Sequence, residues 1–86
     1  PEGYIKVAPD LAVEVVSPNE LYEEVEAKVA DYRSAGVKLI WVVSPKSRTV
    51  VVRRLDGTCA EVGEAGQLSG EGVVPGFACP VADLFV

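Results

Sequence analysis

The chain has 86 residues, 49% of them hydrophobic and 24% charged, enough for one domain with a modest core and too apolar for a disordered chain. Thirteen acidic against eight basic residues leave a net charge of −5, and there is no histidine. Bulk attraction to nucleic acid or to an anionic membrane is therefore excluded as the basis of a function; a polyanion binder of this kind needs local basic clusters or bound cations.

After a polar, glycine-containing lead-in from Pro1, which is expected of a segment within a longer polypeptide, residues 10–16 (DLAVEVV) are β-branched and almost continuously apolar. That pattern predicts a strand covered on both faces, as in parallel sheets. Ser17-Pro18-Asn19-Glu20 ends it and reads as a helix start, with Ser17 as N-cap, Pro18 at the first helical position and Glu20 reaching back, Asn19 being a rival cap. From Glu20 to about Ala35, Leu21, Val25, Val29 and Tyr32 recur at spacings of four, four and three, which predicts one buried helical stripe that Gly36 terminates. KLIWVVS (38–44) is a second continuous apolar run, and the order strand, helix, strand implies a crossover between parallel neighbours. RTVVVRRL (48–55) reads as the return arm of a hairpin, with Val50 and Val52 on one face and Thr49, Val51 and Arg53 on the other. Asp56-Gly57 then turns the chain into a short edge strand over 58–62. Beyond a glycine-rich stretch, the segment PGFACPVADLF is expected to pack Phe77, Leu84 and Phe85 onto the sheet.

Cys59 and Cys79 stand twenty positions apart with no CxxC pair, which argues against a zinc site and for two reduced thiols. No apolar run approaches the ~18 residues of a membrane span and no charged-then-apolar leader is present, so the expectation is a cytoplasmic protein with no membrane contact.

One residue breaks the apolar pattern. An ionised carboxylate in a strand hidden on both faces forfeits hydration worth several kcal/mol, so Glu14 requires a pairing partner, a proton or a cation. On a helix turning about 100° per residue, Lys28 falls between Ala35 and Leu21 at the margin of the apolar arc, facing the sheet. An amine and a carboxylate thus point from two adjacent elements into one space. The residues alone leave other outcomes open: a strand end reached by solvent, an arginine partner for Glu14, a Lys28 stem that snorkels to the rim, or an ion pair that is purely structural. Arg48, Arg53 and Arg54 are the basic residues placed to touch a phosphate backbone, although solvated arginines on an alternating strand give the same pattern.

PDLAVEVVSP (9–18), Lys28-x-x-x-Tyr32-x-x-x-Gly36-Val37, LIWVVSP (39–45) and PGFACPVADLF (75–85) follow one another over nearly the whole chain. Together they resemble the C-terminal half of the Uma-two-type bacterial proteins, restriction-endonuclease-like members of the PD-(D/E)XK nuclease superfamily. The resemblance implies an α/β fold with a restriction-endonuclease-like mixed sheet, in which a strand–helix–strand crossover is followed by a β-hairpin, and in which residues 1–86 form a single domain that is the C-terminal half of a nuclease-like domain. It also implies a metal-dependent DNA endonuclease. Glu14 matches the second acid of the motif and a metal ligand, the backbone carbonyl of Val15 a further ligand to Mg2+ or Mn2+, and DNA is the implied partner. In the parent pattern a catalytic lysine stands two places after that acid, where this chain has Val16; members of the resembled family carry it on the following helix, at the position of Lys28.

Asp10 is the tempting first acid of the motif and is retained as a catalytic candidate. Against it, four strand residues separate it from Glu14 by ~13 Å, whereas the oxygen ligands of one magnesium all lie ~2.1 Å from the ion. In the resembled family the first acid sits on an earlier strand, which here would precede Pro1. The alternative is a catalytically inactive nuclease-like scaffold that serves binding or assembly. If strand 10–16 lacked a neighbour, its exposed sheet edge would also pair with a second copy, giving a homo-oligomer.

Overall fold

Two continuous apolar runs demand cover on both faces, and the chain meets that demand by placing them side by side at the centre of one sheet. The computed structural model describes the backbone of residues 4–8 and residues 10–85 in full. In it β2 (Leu11–Val15) and β3 (Leu39–Ser44) run parallel, in a register from Leu11↔Leu39 to Val15↔Val43. The helix α1 (Tyr22–Ser34) makes the connection between them. Antiparallel neighbours complete the sheet: β1 (Tyr4–Ala8) beside β2, β4 (Thr49–Arg54) beside β3 and β5 (Cys59–Val62) beside β4, in the order β1-β2-β3-β4-β5. A two-stranded ribbon of β6 (Gln67–Ser69) and β7 (Ala78–Pro80) leads into a 3-10 helix over Val81–Phe85.

Period-two alternation divides the sheet's side chains between two cores. Ala12, Ile40 and Val42 face α1 and pack with its Val25 and Val29 and with Val37. Leu11, Val13, Leu39, Trp41, Val43, Val50 and Val52 face the other way and are capped by Leu68 of the ribbon and Val81 of the 3-10 helix. Phe77, Leu84 and Phe85 pack against that second cluster as expected, and the Phe77 ring stacks on Trp41 at 5.8 Å between centroids. Each such aliphatic side chain contributes about 1.5–3 kcal/mol when removed from water, so two small cores sharing one sheet suit a chain of this length.

The helix ends as its glycine predicts. Gly36 takes φ +91°, its N–H donates to the Arg33 carbonyl at 3.0 Å, and the Val37 N–H reaches back to the Tyr32 carbonyl at 3.0 Å. This pair of bonds is the Schellman arrangement, which only a left-handed residue allows. The start of the helix differs from the expectation. Val16 is still bonded to the sheet, its N–H donating to Val43 at 2.9 Å, and residues 17–20 form a turn of their own in which the Glu20 N–H meets the Ser17 carbonyl at 3.0 Å. The chain spends that turn climbing from the sheet to the helix layer. The N-cap is consequently Leu21, whose N–H is taken by the Glu24 carboxylate at 2.8 Å, and its side chain is exposed rather than part of the buried stripe.

Two further elements depart from the sequence reading. Tyr4–Ala8, expected as a polar lead-in, is a strand, with Tyr4↔Glu14 and Ala8↔Leu11 in register. Five residues interrupted by Lys6 are too short a run to stand out in sequence. Its presence makes β2 an inner strand, so the expected exposed edge along residues 10–16 does not exist in the described residues. Asp10 belongs to the two-residue link between β1 and β2, and its partner in that link, Pro9, lies outside the described residues. The glycine-rich stretch supplies β6 and the return to β7.

Leu68 is 1% exposed and joins the ribbon to the sheet. Leu68→Ala is expected to cost about 2–5 kcal/mol, measured as a lower urea midpoint with an unchanged slope.

Candidate active site

Glu14 lies on the helix-facing side of β2 with Ala12 and Val16, and it is the one charged residue among the described residues to be fully buried, at 1% exposure. Helical spacing supplies what surrounds it. Lys28 and Tyr32 are four residues apart, hence neighbours on one face of α1, and the buried Val25 and Val29 press that face onto the sheet. The Lys28 Nζ is 3.1 Å from Glu14 Oε2, and the Tyr32 hydroxyl donates to Glu14 Oε1 at 2.6 Å. Both carboxylate oxygens are thereby engaged, one by a cation and one by a neutral donor, which replaces the hydration a carboxylate loses on burial. The amine and acid singled out in sequence do converge on one space.

A second acid completes the arrangement. Glu20, in the turn ahead of α1, places its Oε2 2.6 Å from Lys28 Nζ, so the ammonium bridges two carboxylates. Lys28 remains 39% exposed while the side chains of Glu14 and Glu20 are 1% and 6% exposed. The amine thus forms the boundary between a buried anionic pocket and solvent. Contact with the Lys28 ammonium, and next the Ser17 N–H, hold the Glu20 carboxyl below the usual carboxylate range. Glu20 first and Glu14 second hold the Lys28 amine above its usual range.

Around this cluster stand the other residues proposed from sequence. Asp10 sits in the link before β2, four residues from Glu14, where its backbone carbonyl accepts the N–H groups of Lys38 at 2.9 Å and Leu39 at 3.0 Å. These backbone bonds join the entry of β2 to the start of β3. Val15 ends β2 with its side chain on the opposite face, against the cluster that Leu84 and Phe85 also cover. Val16, at the position of the parent lysine, packs against the helix-side core. Each arginine considered for phosphate contact meets an acid: Arg48 with Glu64 at 2.7 Å, Arg53 with both oxygens of Glu26 at 2.6 and 2.9 Å, and Arg54 with Glu71 at 3.0 Å. Cys59 and Cys79 are both free thiols, and burial pushes the Cys79 thiol up.

Two site residues escaped the sequence reading. Tyr32 enters the sequence reading through the apolar stripe and the Lys28-x-x-x-Tyr32 spacing, neither of which assigns it to Glu14. Glu20 does reach back to the Ser17 N–H, at 3.1 Å, as its capping role predicts, and nothing local signals that its second oxygen turns toward a lysine eight residues later. Among the described residues, no three His, Cys, Asp or Glu side chains gather closely enough to hold a metal ion by themselves. No helix among them is long and apolar enough to cross a membrane.

A mixed sheet with a parallel pair bridged by a helix and a following hairpin is the restriction-endonuclease-like α/β fold expected from the sequence. The chain belongs to the Uma2 family, described as "Putative restriction endonuclease", which matches residues 1–82. It is also similar to a solved structure from Anabaena variabilis, a "putative nuclease belonging to DUF820", with 21% identity and a TM-score of 0.74. That likeness covers 93% of this chain and 45% of the other, so this chain spans about half the length of the solved protein. No curated protein matches the chain.

The geometry gives two expectations for stability. Tyr32→Phe removes a hydrogen bond to a charged group and is expected to cost about 1.5–3 kcal/mol by urea denaturation. For pH, the depressed Glu20 contributes stability that is present above its unfolded value near ~4.3 and is lost as pH falls through its lower folded value. The raised Lys28 contributes below its unfolded value near ~10.4 and loses that contribution as pH rises through its higher folded value. The gap in urea midpoint between wild type and Glu20→Gln is therefore expected to be flat at neutral pH and to shrink between about pH 5 and pH 2; a gap that stays constant down to pH 2 contradicts the assignment.

Proposed function

We propose that this chain supplies the catalytic carboxylate and lysine of a divalent-metal-dependent DNA endonuclease, which hydrolyses a phosphodiester bond. The observation that carries the reading is the buried Glu14 carboxylate held 3.1 Å from the ammonium of Lys28, an arrangement that membership of the family gives a reason for.

Magnesium and manganese take oxygen ligands, and Glu14 has that chemistry in a pocket already built around a cation, the Lys28 ammonium. In this reading Glu14 and the backbone carbonyl of Val15 are this chain's share of the ligand set, with water and an acid outside the described residues providing the rest. When bound, the ion would lower the pKa of a water and withdraw charge from a phosphoryl oxygen. Glu14 is held rigid for this task because β2 has a strand on each side, and Tyr32 orients the carboxylate by holding one of its oxygens. Lys28 stands at the solvent boundary of the pocket, where an incoming phosphate would arrive. There it neutralises the negative charge that develops on the phosphoryl group, or orients the attacking water. The acidic net charge is compatible with a DNA substrate because the ion brings its own positive field.

A second reading is a nuclease-like scaffold that serves binding or assembly, with Glu14 and Lys28 a structural pair. The pairing of Arg48, Arg53 and Arg54 with acids favours it, since no guanidinium of the three is left for a phosphate without breaking an ion pair.

Nicking of supercoiled plasmid separates the two. The full-length protein is expected to nick in Mg2+ or Mn2+ and not in chelator, and Glu14→Ala and Lys28→Ala are each expected to lower the rate by at least about 100-fold. A folded wild type that leaves the plasmid intact with either metal removes the nuclease reading and supports the scaffold.

A further inference from the structure

We propose that Glu20 is a positioning residue: it keeps the Lys28 ammonium inside the site when the Glu14 carboxylate is taken by a cation. This rests on the reading of Glu14 as a metal ligand, and it gives a task to a residue that lies outside the matched motif residues.

Three features of the site carry it. The first is the pair of distances: Lys28 Nζ is 2.6 Å from Glu20 and 3.1 Å from Glu14, so the ammonium is already held more closely by the acid that is not the ligand. The second is rigidity. Glu20 is 6% exposed on its side chain, its Oε1 accepts the Ser17 N–H at 3.1 Å, its own N–H meets the Ser17 carbonyl at 3.0 Å, and the preceding Val16 is tied to β3. The third is the chemistry of the ammonium, which has three donors on a flexible four-carbon stem and can release one acceptor while keeping another.

A divalent ion on Glu14 repels the ammonium beside it at close range. A lysine with no second anchor, already 39% exposed, would respond by swinging into solvent, and the site would gain an ion but lose its amine. With Glu20 in place the ammonium withdraws from Glu14 alone. Its distance from the carboxylate pocket then changes by a fraction of its stem's reach, and it stays beside the position where a phosphate would lie. Tyr32 keeps its bond to the other Glu14 oxygen throughout, so the exchange involves a single contact.

The test reads lysine reactivity as well as cleavage. Wild-type protein, Glu20→Gln and Glu20→Asp are pulse-acetylated with and without saturating Mg2+, and acetylation at Lys28 is compared by mass spectrometry with that at the exposed Lys46 of the same molecules. In wild type, Lys28 is expected to react at least about tenfold more slowly than Lys46 in both conditions. In Glu20→Gln, whose amide oxygen still accepts from Ser17, Lys28 is expected to stay protected without metal and to approach the Lys46 rate with it. Glu20→Asp, which retains the charge at shorter reach, is expected to fall between the two. Protection in Glu20→Gln that metal leaves unchanged, or exposure of Lys28 by metal in wild type, overturns the proposal. Plasmid nicking measured alongside separates this from the nuclease reading. Nicking without the lysine response sinks the positioning role alone, and the lysine response without nicking sinks the nuclease reading alone.

Discussion

An ionised carboxylate inside a sheet has to be met by donors on every open side, and that constraint shapes the half of the molecule that faces α1. Glu14 can be buried because Tyr32 and Lys28 arrive together, and they arrive together because they are one helical turn apart on a helix whose valines fix its face toward β2 and β3. The parallel pairing of β2 and β3 sets where that helix must cross. The Schellman stop at Gly36 sets where it must end. A strand on each side of β2 then removes the freedom of the carboxylate to move toward solvent.

The two faces of the sheet divide the work. The face covered by the ribbon and the 3-10 helix holds the larger apolar cluster, with the largest buried side chain, Trp41, and serves stability. The helix face carries fewer and smaller aliphatic side chains and admits the ion pairs of Glu14, Glu20 and Glu26. Buried ionic groups of this kind return little stability relative to well-packed hydrocarbon. Their presence where a core could have been apolar is consistent with a site and with membership of a nuclease family.

Legibility in the sequence follows from how local each signal is. The continuous apolar runs of β2 and β3, the stripe of Val25 and Val29, the glycine stop and the hairpin of β4 are statements about neighbouring residues, and each stands where its pattern places it. The convergence of Glu14 with Lys28 was legible because one residue violated a strong pattern and a second lay at the margin of another. Where pattern was thin, the reading gave way. β1 has five residues with a lysine among them, and the helix start offered several caps of similar chemistry, of which the turn geometry after Val16 selected none. Glu20 and Tyr32 are not legible as partners because their roles depend on three-dimensional proximity, of Glu20 to Lys28 eight positions on and of Tyr32 to Glu14 eighteen positions back, at an angle that only the true start of the helix defines.

The carbonyl of Tyr32 is an acceptor in the bond that closes the helix, while its hydroxyl is a donor to the buried acid. One residue is therefore pinned at both ends, by the backbone stop and by the site. Between Lys28 and Tyr32 the spacing of one helical turn is what lets both side chains reach the same carboxylate. Adding or deleting a single position between Lys28 and Tyr32 would turn one of the two side chains by about 100° relative to the other, so that amine and phenol would no longer meet one carboxylate. The spacing of those two residues, more than the identity of the outward positions between them, is what the buried acid depends on.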